Sequence, residues 1–152
     1  MNDTWPIAEL DPVRRLRVIA RTTPGTSYGE ILLDAPFDRV WAVASDLERQ
    51  MPLLITDIHS FTVTASSGEH LEALARSPLG LRARFDIVMR PGWCLMQSRF
   101  LVGGLAATPE NTGTRFAFFG GLRIPGARLI DRALHPLLHR HSVERFAAQF
   151  RP

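Results

Sequence analysis

The stretch LRARFDIVMR, residues 81–90, alternates apolar and polar side chains at every position except Val88. Its apolar positions are Leu81, Ala83, Phe85, Ile87 and Met89, and the positions between them are mostly charged. Because successive side chains of a β-strand point to opposite faces, this alternation predicts a strand with one buried face and one hydrated face. Parallel strands are usually buried on both faces, so the stretch favours an antiparallel sheet.

Period-two patterning of this kind continues from Ile55 to Ile124, interrupted by the turn sequences SSGE, PLG, PGW and PENTG. Gly, Pro and Asn favour turns because of the backbone angles that they allow or fix. We therefore expect six antiparallel strands in this region. The adjacent glycines of LVGGLAA are interpreted as a bulge or bend in one of them.

One further strand and short helices are expected before this sheet region. EILLDA, residues 30–35, is typical of a strand, and Pro36 suits the first turn of a helix because its φ angle is already helical. Phe37, Val40, Trp41 and Ala44 then recur at helical spacing. Pro52 is expected to stop the helical run.

The chain is interpreted as one globular domain preceded by a short extension. Its 152 residues are 45% hydrophobic and 22% charged, which suits a single core. The turn-rich sequence TTPGTSYG separates a basic N-terminal extension, residues 1–28, from a domain of residues 29–152. No apolar run suits a signal peptide or a membrane-spanning helix, so we expect a cytoplasmic protein with no integral membrane segment.

The charge pattern argues against a nucleic-acid partner. The net charge is +3, and all 18 basic residues are arginines that are scattered among acidic residues. Nucleic-acid-binding domains concentrate basic residues on one face. The densest cluster, VRRLRVIAR at 13–21, is expected to be a solvated amphipathic segment that covers the domain edge, with RNA or an anionic membrane surface as alternatives.

Cysteine usage excludes two classes of site. Cys94 is the only cysteine, so the chain can form neither an internal disulfide nor a zinc site of the CxxC type. Flanked by Trp93 and Leu95, Cys94 is expected to be a small buried hydrophobic residue.

A long helix is predicted over residues 126–150, bent at Pro136. On a helical wheel, His135, His139 and Phe146 fall on the polar face, whereas His141 falls on the apolar face. The three histidines therefore do not converge, and we expect no bound metal.

His141 shares the apolar face of this predicted helix with Leu134, Leu137 and Glu144. A buried polar side chain must find a partner. His141 and Glu144 are expected either to bond each other or sheet residues, or to supply polar contacts in an internal pocket.

Three stretches carry a resemblance to a known family. ILLDAPFDRVWAVASDLERQ combines a strand, an Ala-Pro turn and a Val-Trp pair on a helix; NTGTRFAFF resembles the hairpin that leads into the last strand; RIPGARLIDRALHPLLHRHSVERFAAQF resembles a gripping helix. Together they resemble the START-like, or SRPBCC, superfamily, in particular its bacterial polyketide cyclase/dehydrase and lipid-transport members. The resemblance covers roughly residues 28–150.

The resemblance implies an α+β helix-grip fold. In that fold a curved seven-stranded antiparallel sheet wraps around a long C-terminal helix, with one or two short helices after the first strand. It also implies an apolar cavity between sheet and helix that holds a hydrophobic small molecule. The candidate ligand-binding residues are Phe61, Phe85, Trp93, Met96, Phe116, Phe118, Leu134, Leu137, His141 and Glu144.

Two functions are compatible with such a cavity. One is binding or transport of a lipid, polyketide or aromatic metabolite; the alternative is a polyketide cyclase or dehydratase-like enzyme acting in the same cavity. An enzyme would need an acid or base that reaches the cavity, and the titratable or cationic candidates are His141, Glu144, Glu72, Arg84 and Arg99. Arg84 and Arg99 are expected on the outer sheet face, and no residue is assigned a catalytic role.

Further motifs and cofactors are not expected. The sequence contains no GxSxG, HExxH, GxGxxG or P-loop motif, so hydrolase, zinc protease and nucleotide-binding functions have no support. We expect no cofactor, and a monomer or homodimer.

Overall fold

Seven antiparallel strands form one sheet in the order β1-β7-β6-β5-β4-β3-β2, which confirms the predicted antiparallel arrangement. The computed structural model describes residues 9–122 and 142–152. The helices are α1 (Pro12–Thr22), α2 (Phe37–Ala44), α3 (Leu47–Leu54) and α4 (Ser142–Ala148). The strands are β1 (Thr26–Leu33), β2 (Ser60–Ser67), β3 (His70–Arg76), β4 (Arg82–Arg90), β5 (Trp93–Gln97), β6 (Leu101–Glu110) and β7 (Gly113–Leu122).

Strand β4 shows the alternation that its sequence predicts. Phe85 and Ile87 are buried in the main core, whereas Arg84 and Asp86 are exposed. We call the face that carries Phe85 and Ile87 the inner face of the sheet, and the opposite face the outer face. Helix α4 packs on the inner face, where the Val143 side chain lies against Gly29 of β1.

Strand β1 begins at Thr26, earlier than the predicted segment 30–35. The stretch expected to be a turn pairs instead with β7, from Thr26 opposite Gly121 onward. A side chain on Gly121 would place a Cβ atom 2.1 Å from the Gly25 carbonyl oxygen. Glycine on the partner strand therefore permits the close backbone approach that extends the pairing.

Helix α3 continues through Pro52 and ends at Leu54, so the expectation that Pro52 stops the helix is wrong. The last carbonyl groups of α3 are bound by the C-terminal segment. Arg145 donates to the Leu53 oxygen at 2.8 Å, and the Ser142 hydroxyl donates to the Leu54 oxygen at 2.8 Å. These bonds satisfy carbonyl groups that a helix leaves without intrahelical partners.

Helix α1 covers the outer face of the sheet, whereas the sequence predicted a solvated segment that covers the domain edge. Val13, Leu16 and Ala20 are buried against outer-face residues of β6 and β7. Gly104 makes room for this helix, because a Cβ atom there would lie 2.9 Å from the Leu16 Cδ1 atom. The Arg-rich sequence is thus amphipathic, as predicted, but its apolar side is fully used in packing.

The glycine pair of β6 is not a bulge. Gly103 and Gly104 keep continuous register with both β5 and β7. Among the strand pairs, the irregularity lies on β2, between Val63 and Ala65. Within the part of the chain that the structure describes, no helix has the length and apolar character needed to cross a membrane.

Candidate functional site

The inner face of the sheet is the candidate site, because most of the sheet residues predicted to contact a ligand lie there together. All are buried and belong to one core cluster. They are Phe61, Phe85, Met96, Phe116 and Phe118. Strand alternation explains this grouping, since each occupies an inward position of its strand.

Trp93 is placed on the opposite face, which corrects its assignment to the cavity. Its side chain packs with the outer-face cluster beneath α1, and the Arg15 Cζ atom lies 5.7 Å from the Trp93 ring centroid. Trp93 and Met96 are three positions apart on β5, so strand alternation sends them to opposite faces. The inward residues of this strand are Cys94 and Met96.

The inner face is aromatic at two places. Phe61 and Phe85 have ring centroids 5.7 Å apart at an interplanar angle of 47°. Phe116 and Phe146 are stacked with centroids 3.9 Å apart and planes 16° from parallel. The second pair joins β7 to α4, so aromatic packing fixes the C-terminal segment on the sheet.

A row of small residues crosses the inner face beside these rings. Ser27 of β1 pairs with Gly120 of β7, which pairs with Gly103 of β6, next to Met96 of β5. Among the described residues, the nearest neighbours of a Cβ atom on Gly120 would be the Phe118 ring and the Val102 oxygen, at 3.5 Å or more. Because these residues have small side chains or none, an apolar partner can approach the backbone closely here, and we call Ser27, Gly120 and Gly103 the low row.

Helix α4 buries a different set of residues from the set that the helical wheel predicts. Val143, Phe146 and Ala147 are buried, whereas Glu144 is exposed. Glu144 was predicted on the apolar face and Phe146 on the polar face, and both assignments are wrong. The helical wheel assigned faces from residue positions alone, over residues 126–150. In the structure, the burial of the Phe146 ring against Phe116 sets which side of α4 packs on the sheet.

The remaining helix candidates lie outside the described residues. They are Leu134, Leu137 and His141, and the same holds for His135 and His139. Their predicted placement stays a prediction. Within residues 9–122 and 142–152, no group of three or more His, Cys, Asp or Glu side chains is placed to hold a metal ion.

The acid, base and cation candidates of the sheet do not reach the inner face. Glu72 and Arg84 are exposed on the outer face, and Arg99 is exposed in the β5–β6 turn. On the described strands, the titratable side chain directed into the inner core is Cys94. Burial raises the pKa of its thiol to about 12, so the thiol is neutral at physiological pH.

Buried polar side chains near the inner face already have protein partners. The Thr114 hydroxyl donates to the Ala35 oxygen at 2.8 Å. Gln50 of α3 and Gln149 exchange two side-chain hydrogen bonds, at 3.1 and 2.8 Å. Among the described residues, no buried side-chain nitrogen or oxygen lacks a partner. The described part of the inner face therefore offers a ligand an apolar surface of defined shape, and its buried polar side chains are already hydrogen-bonded within the protein.

An ionic network on the outer face was not predicted from the sequence. Arg17 of α1 donates to both carboxylate oxygens of Glu30, at 2.6 to 3.1 Å. Glu30 also accepts from the Tyr28 hydroxyl and from Arg115 at 3.3 Å, and Arg115 binds Glu110. In the sequence, Tyr28 and Glu30 are two positions apart on a strand, so both side chains lie on the same outer face. This spacing is the signal that could have indicated the network.

Glu30 is held ionised by this network. Burial raises the pKa of its carboxyl group, but hydrogen bonds from Arg17 and Tyr28 outweigh that effect and lower the pKa below its ordinary value. The network therefore ties α1 to β1 and β7 without facing the inner core.

A depression lies on the outer face across β3, β4 and β5. It has a volume of about 370 Å³. The lining residues are His70, Leu71, Glu72, Asp86, Ile87, Val88, Leu95 and Gln97. Its polar side chains are exposed and belong to the hydrated sheet face, so the inner face remains the candidate site.

Comparison with known proteins rests on structure alone, because no protein-family model and no curated protein matches the sequence. A crystal structure of TTHA0849 from Thermus thermophilus is similar at a TM-score of 0.58 and 23% identity, covering 82% of this chain and 93% of that one. A START superfamily protein from Mycobacterium smegmatis has a TM-score of 0.56 and 13% identity, covering 83% of this chain and 97% of that one.

The di-domain ARO/CYC StfQ from the steffimycin biosynthetic pathway is also similar. Its TM-score is 0.63 and its identity is 11%, and the match covers 88% of this chain and 52% of StfQ. Identities this low establish a shared architecture rather than a shared activity. Together with the seven-stranded sheet and the helix packed on its inner face, they show that the chain has the START-like helix-grip fold.

Proposed function

We propose that this protein binds a hydrophobic small molecule between the inner face of the sheet and its C-terminal segment. The observation that carries the proposal is the composition of the inner face. Its aromatic and Met side chains adjoin the low row formed by Ser27, Gly103 and Gly120. Ligand sites are typically apolar and concave, with few polar groups.

The electrostatics of the described strands favour binding over catalysis. The inward positions carry no carboxylate, imidazole, lysine or arginine in residues 26–122, and the Cys94 thiol is neutral. General acid or base catalysis requires a titratable group within hydrogen-bond reach of the substrate. Retention of an apolar molecule requires only shape and apolar surface.

The alternative is a cyclase or dehydratase-like enzyme acting in the same place. The observation that favours it is the similarity of this chain to the ARO/CYC protein StfQ. Such an enzyme would take its acid or base from residues outside the described strands, with His141 as the candidate. Multiple turnover of a polyketide-like substrate, lost in His141→Leu, would support this alternative.

The binding proposal is tested by filling the low row. Gly120→Val adds a β-branched side chain where a Cβ atom has ordinary contacts. We expect it to weaken binding of the fluorescent probe 1-anilinonaphthalene-8-sulfonate by about tenfold, because the added methyl groups occupy ligand space. Thr62→Val, at an exposed position of β2, is the matched control and should bind like the parent.

Two measurements keep this test decisive. Thermal unfolding shows whether Gly120→Val is folded, and native mass spectrometry of the freshly purified parent protein detects a retained small molecule without any substitution. Unchanged probe affinity in a folded Gly120→Val protein would contradict the proposal. So would a parent protein that carries no small molecule and binds no probe.

A further inference from the structure

Two turns at one end of the sheet hold apolar side chains in solvent. The β3–β4 turn carries Leu79 and Leu81, which are 91% and 72% exposed, and the β5–β6 turn carries Phe100, which is 53% exposed. Both turns lie at the same end because the successive strands β3 to β6 are antiparallel neighbours. Isolated exposed apolar residues are ordinary, whereas several at one end of a molecule indicate an interaction site.

Hydrogen bonds hold both turns in shape. In the first turn, the Ser77 amide donates to the Leu81 oxygen at 2.8 Å, and the Ser77 hydroxyl accepts from the Leu81 amide at 3.0 Å. Gly80 has a φ of +83°, which suits glycine. In the second turn, the Ser98 hydroxyl oxygen accepts from the Phe100 amide at 3.3 Å. The apolar side chains are therefore presented by ordered turns.

Arginines surround these apolar side chains. Arg76 and Arg82 bracket the first turn, Arg99 lies in the second, and all three are exposed. The Arg99 Cζ atom lies 5.3 Å from the Phe100 ring centroid. Neither turn contains a carboxylate; at this end of the sheet the described α3–β2 connection contributes Asp57. Exposed apolar side chains with arginines beside them complement an anionic lipid surface in both polarity and charge.

We propose that this end of the sheet docks onto an anionic membrane surface. In the docked state, Leu79, Leu81 and Phe100 enter the interfacial layer, and the neighbouring arginines contact lipid headgroups. A protein partner suits the arrangement less well, because apolar side chains on separate turns do not form the continuous packed core of a protein interface. Membrane docking does not depend on the ligand proposed for the inner face.

Vesicle co-sedimentation of the full chain tests the docking. We expect binding to phosphatidylcholine vesicles that contain phosphatidylglycerol, reduced by salt, and little binding to phosphatidylcholine alone. The double variants Leu79→Ser/Leu81→Ser and Arg82→Gln/Arg99→Gln should each weaken binding by about tenfold or more. Leu32→Ser, at a 50% exposed position of β1, and Arg49→Gln on α3 are matched controls that should bind like the parent.

A second measurement locates the contact. Cys94 is buried and its pKa is raised by burial, so a new surface cysteine can be labelled selectively. An environment-sensitive dye on Leu79→Cys should shift to the blue on vesicle binding. The same dye on Ser67→Cys, at the β2–β3 turn at the opposite end of the sheet, should not shift.

Three outcomes would overturn the proposal. The first is equal binding of folded parent and double variants to the vesicles, and the second is a dye shift at position 67 in place of position 79. The third is self-association in light scattering that Leu79→Ser/Leu81→Ser abolishes, without vesicle binding by the parent, which would assign this end to a protein contact.

Discussion

At the scale of single residues, the Phe116–Phe146 stack is the contact that most directly fixes the site. Both rings are fully buried, and they join the last strand to the C-terminal helix. Phe150 extends the cluster, with its centroid 5.2 Å from that of Phe146. The position of α4 over the inner face is therefore fixed by this ring cluster and the contact between Val143 and Gly29, together with the hydrogen bonds that Ser142 and Arg145 make to the end of α3.

Substitution of Phe146 tests this dependence. Phe146→Leu should lower the free energy of unfolding by about 1 to 3 kcal/mol, because it loses ring contacts and leaves a void beside Phe116. Urea denaturation monitored by circular dichroism measures the change. Phe100→Leu, at a 53% exposed position, should change it by less than about 0.5 kcal/mol. Equal effects of the two substitutions would show that Phe146 does not anchor the helix.

At the scale of elements, α1 is held to the sheet by apolar packing and by the Arg17–Glu30 ion pair. The N-terminus of the helix is capped by Asp11, whose carboxylate accepts from the Arg14 amide at 2.9 Å. Its apolar side covers Ala117 and Phe119 of β7 on the outer face. The helix therefore shields strands that would otherwise expose apolar surface on that face.

The Glu30 carboxylate should make this attachment dependent on pH. Its folded pKa is lowered, so its contribution to stability is present above the ordinary pKa of a carboxylate and is lost as the pH falls through the folded value. Unfolding free energies measured from pH 6 down to pH 3 should fall less steeply in Glu30→Gln than in the parent. Glu72→Gln, on the exposed outer face of β3, should keep the parental slope. A parental slope in Glu30→Gln would refute the role given to this network.

At the scale of the whole molecule, the sheet separates two apolar clusters. The inner cluster involves α2, α3 and α4, and the outer cluster involves α1. Residues 1–28 were predicted as an extension of a domain at 29–152, and that division stays a prediction. Burial of Val13 and Leu16 implies that the domain uses the part of this segment that the structure describes.

Deletion of residues 1–22 tests whether α1 is required. We expect the free energy of unfolding to fall by more than about 3 kcal/mol, because two large buried side chains lose their contacts and the outer cluster is exposed to water. Chemical denaturation of both forms measures the loss, and the concentration dependence of aggregation provides a second readout. A truncated chain as stable as the parent would show that α1 is dispensable.

Local patterns in the sequence determined the antiparallel sheet, the short helices after β1 and the inward set Phe61, Phe85, Met96, Phe116 and Phe118. They could do so because alternation along a strand specifies facing without any knowledge of the neighbours. Turn residues likewise marked most strand ends, as in LRARFDIVMR and the PGW sequence that follows it.

Tertiary structure decided what local periodicity could not. The side of the sheet that α1 covers and the rotation of α4 depend on which surfaces remain to be buried once the sheet has formed. Trp93 differs from these, because alternation along β5 already places it on the face opposite Met96. A helical or strand pattern states which residues share a face, but the partner of that face is chosen by packing between distant segments. The same reason explains why Phe146, given a polar face by the wheel, is buried against a strand thirty positions earlier in the chain.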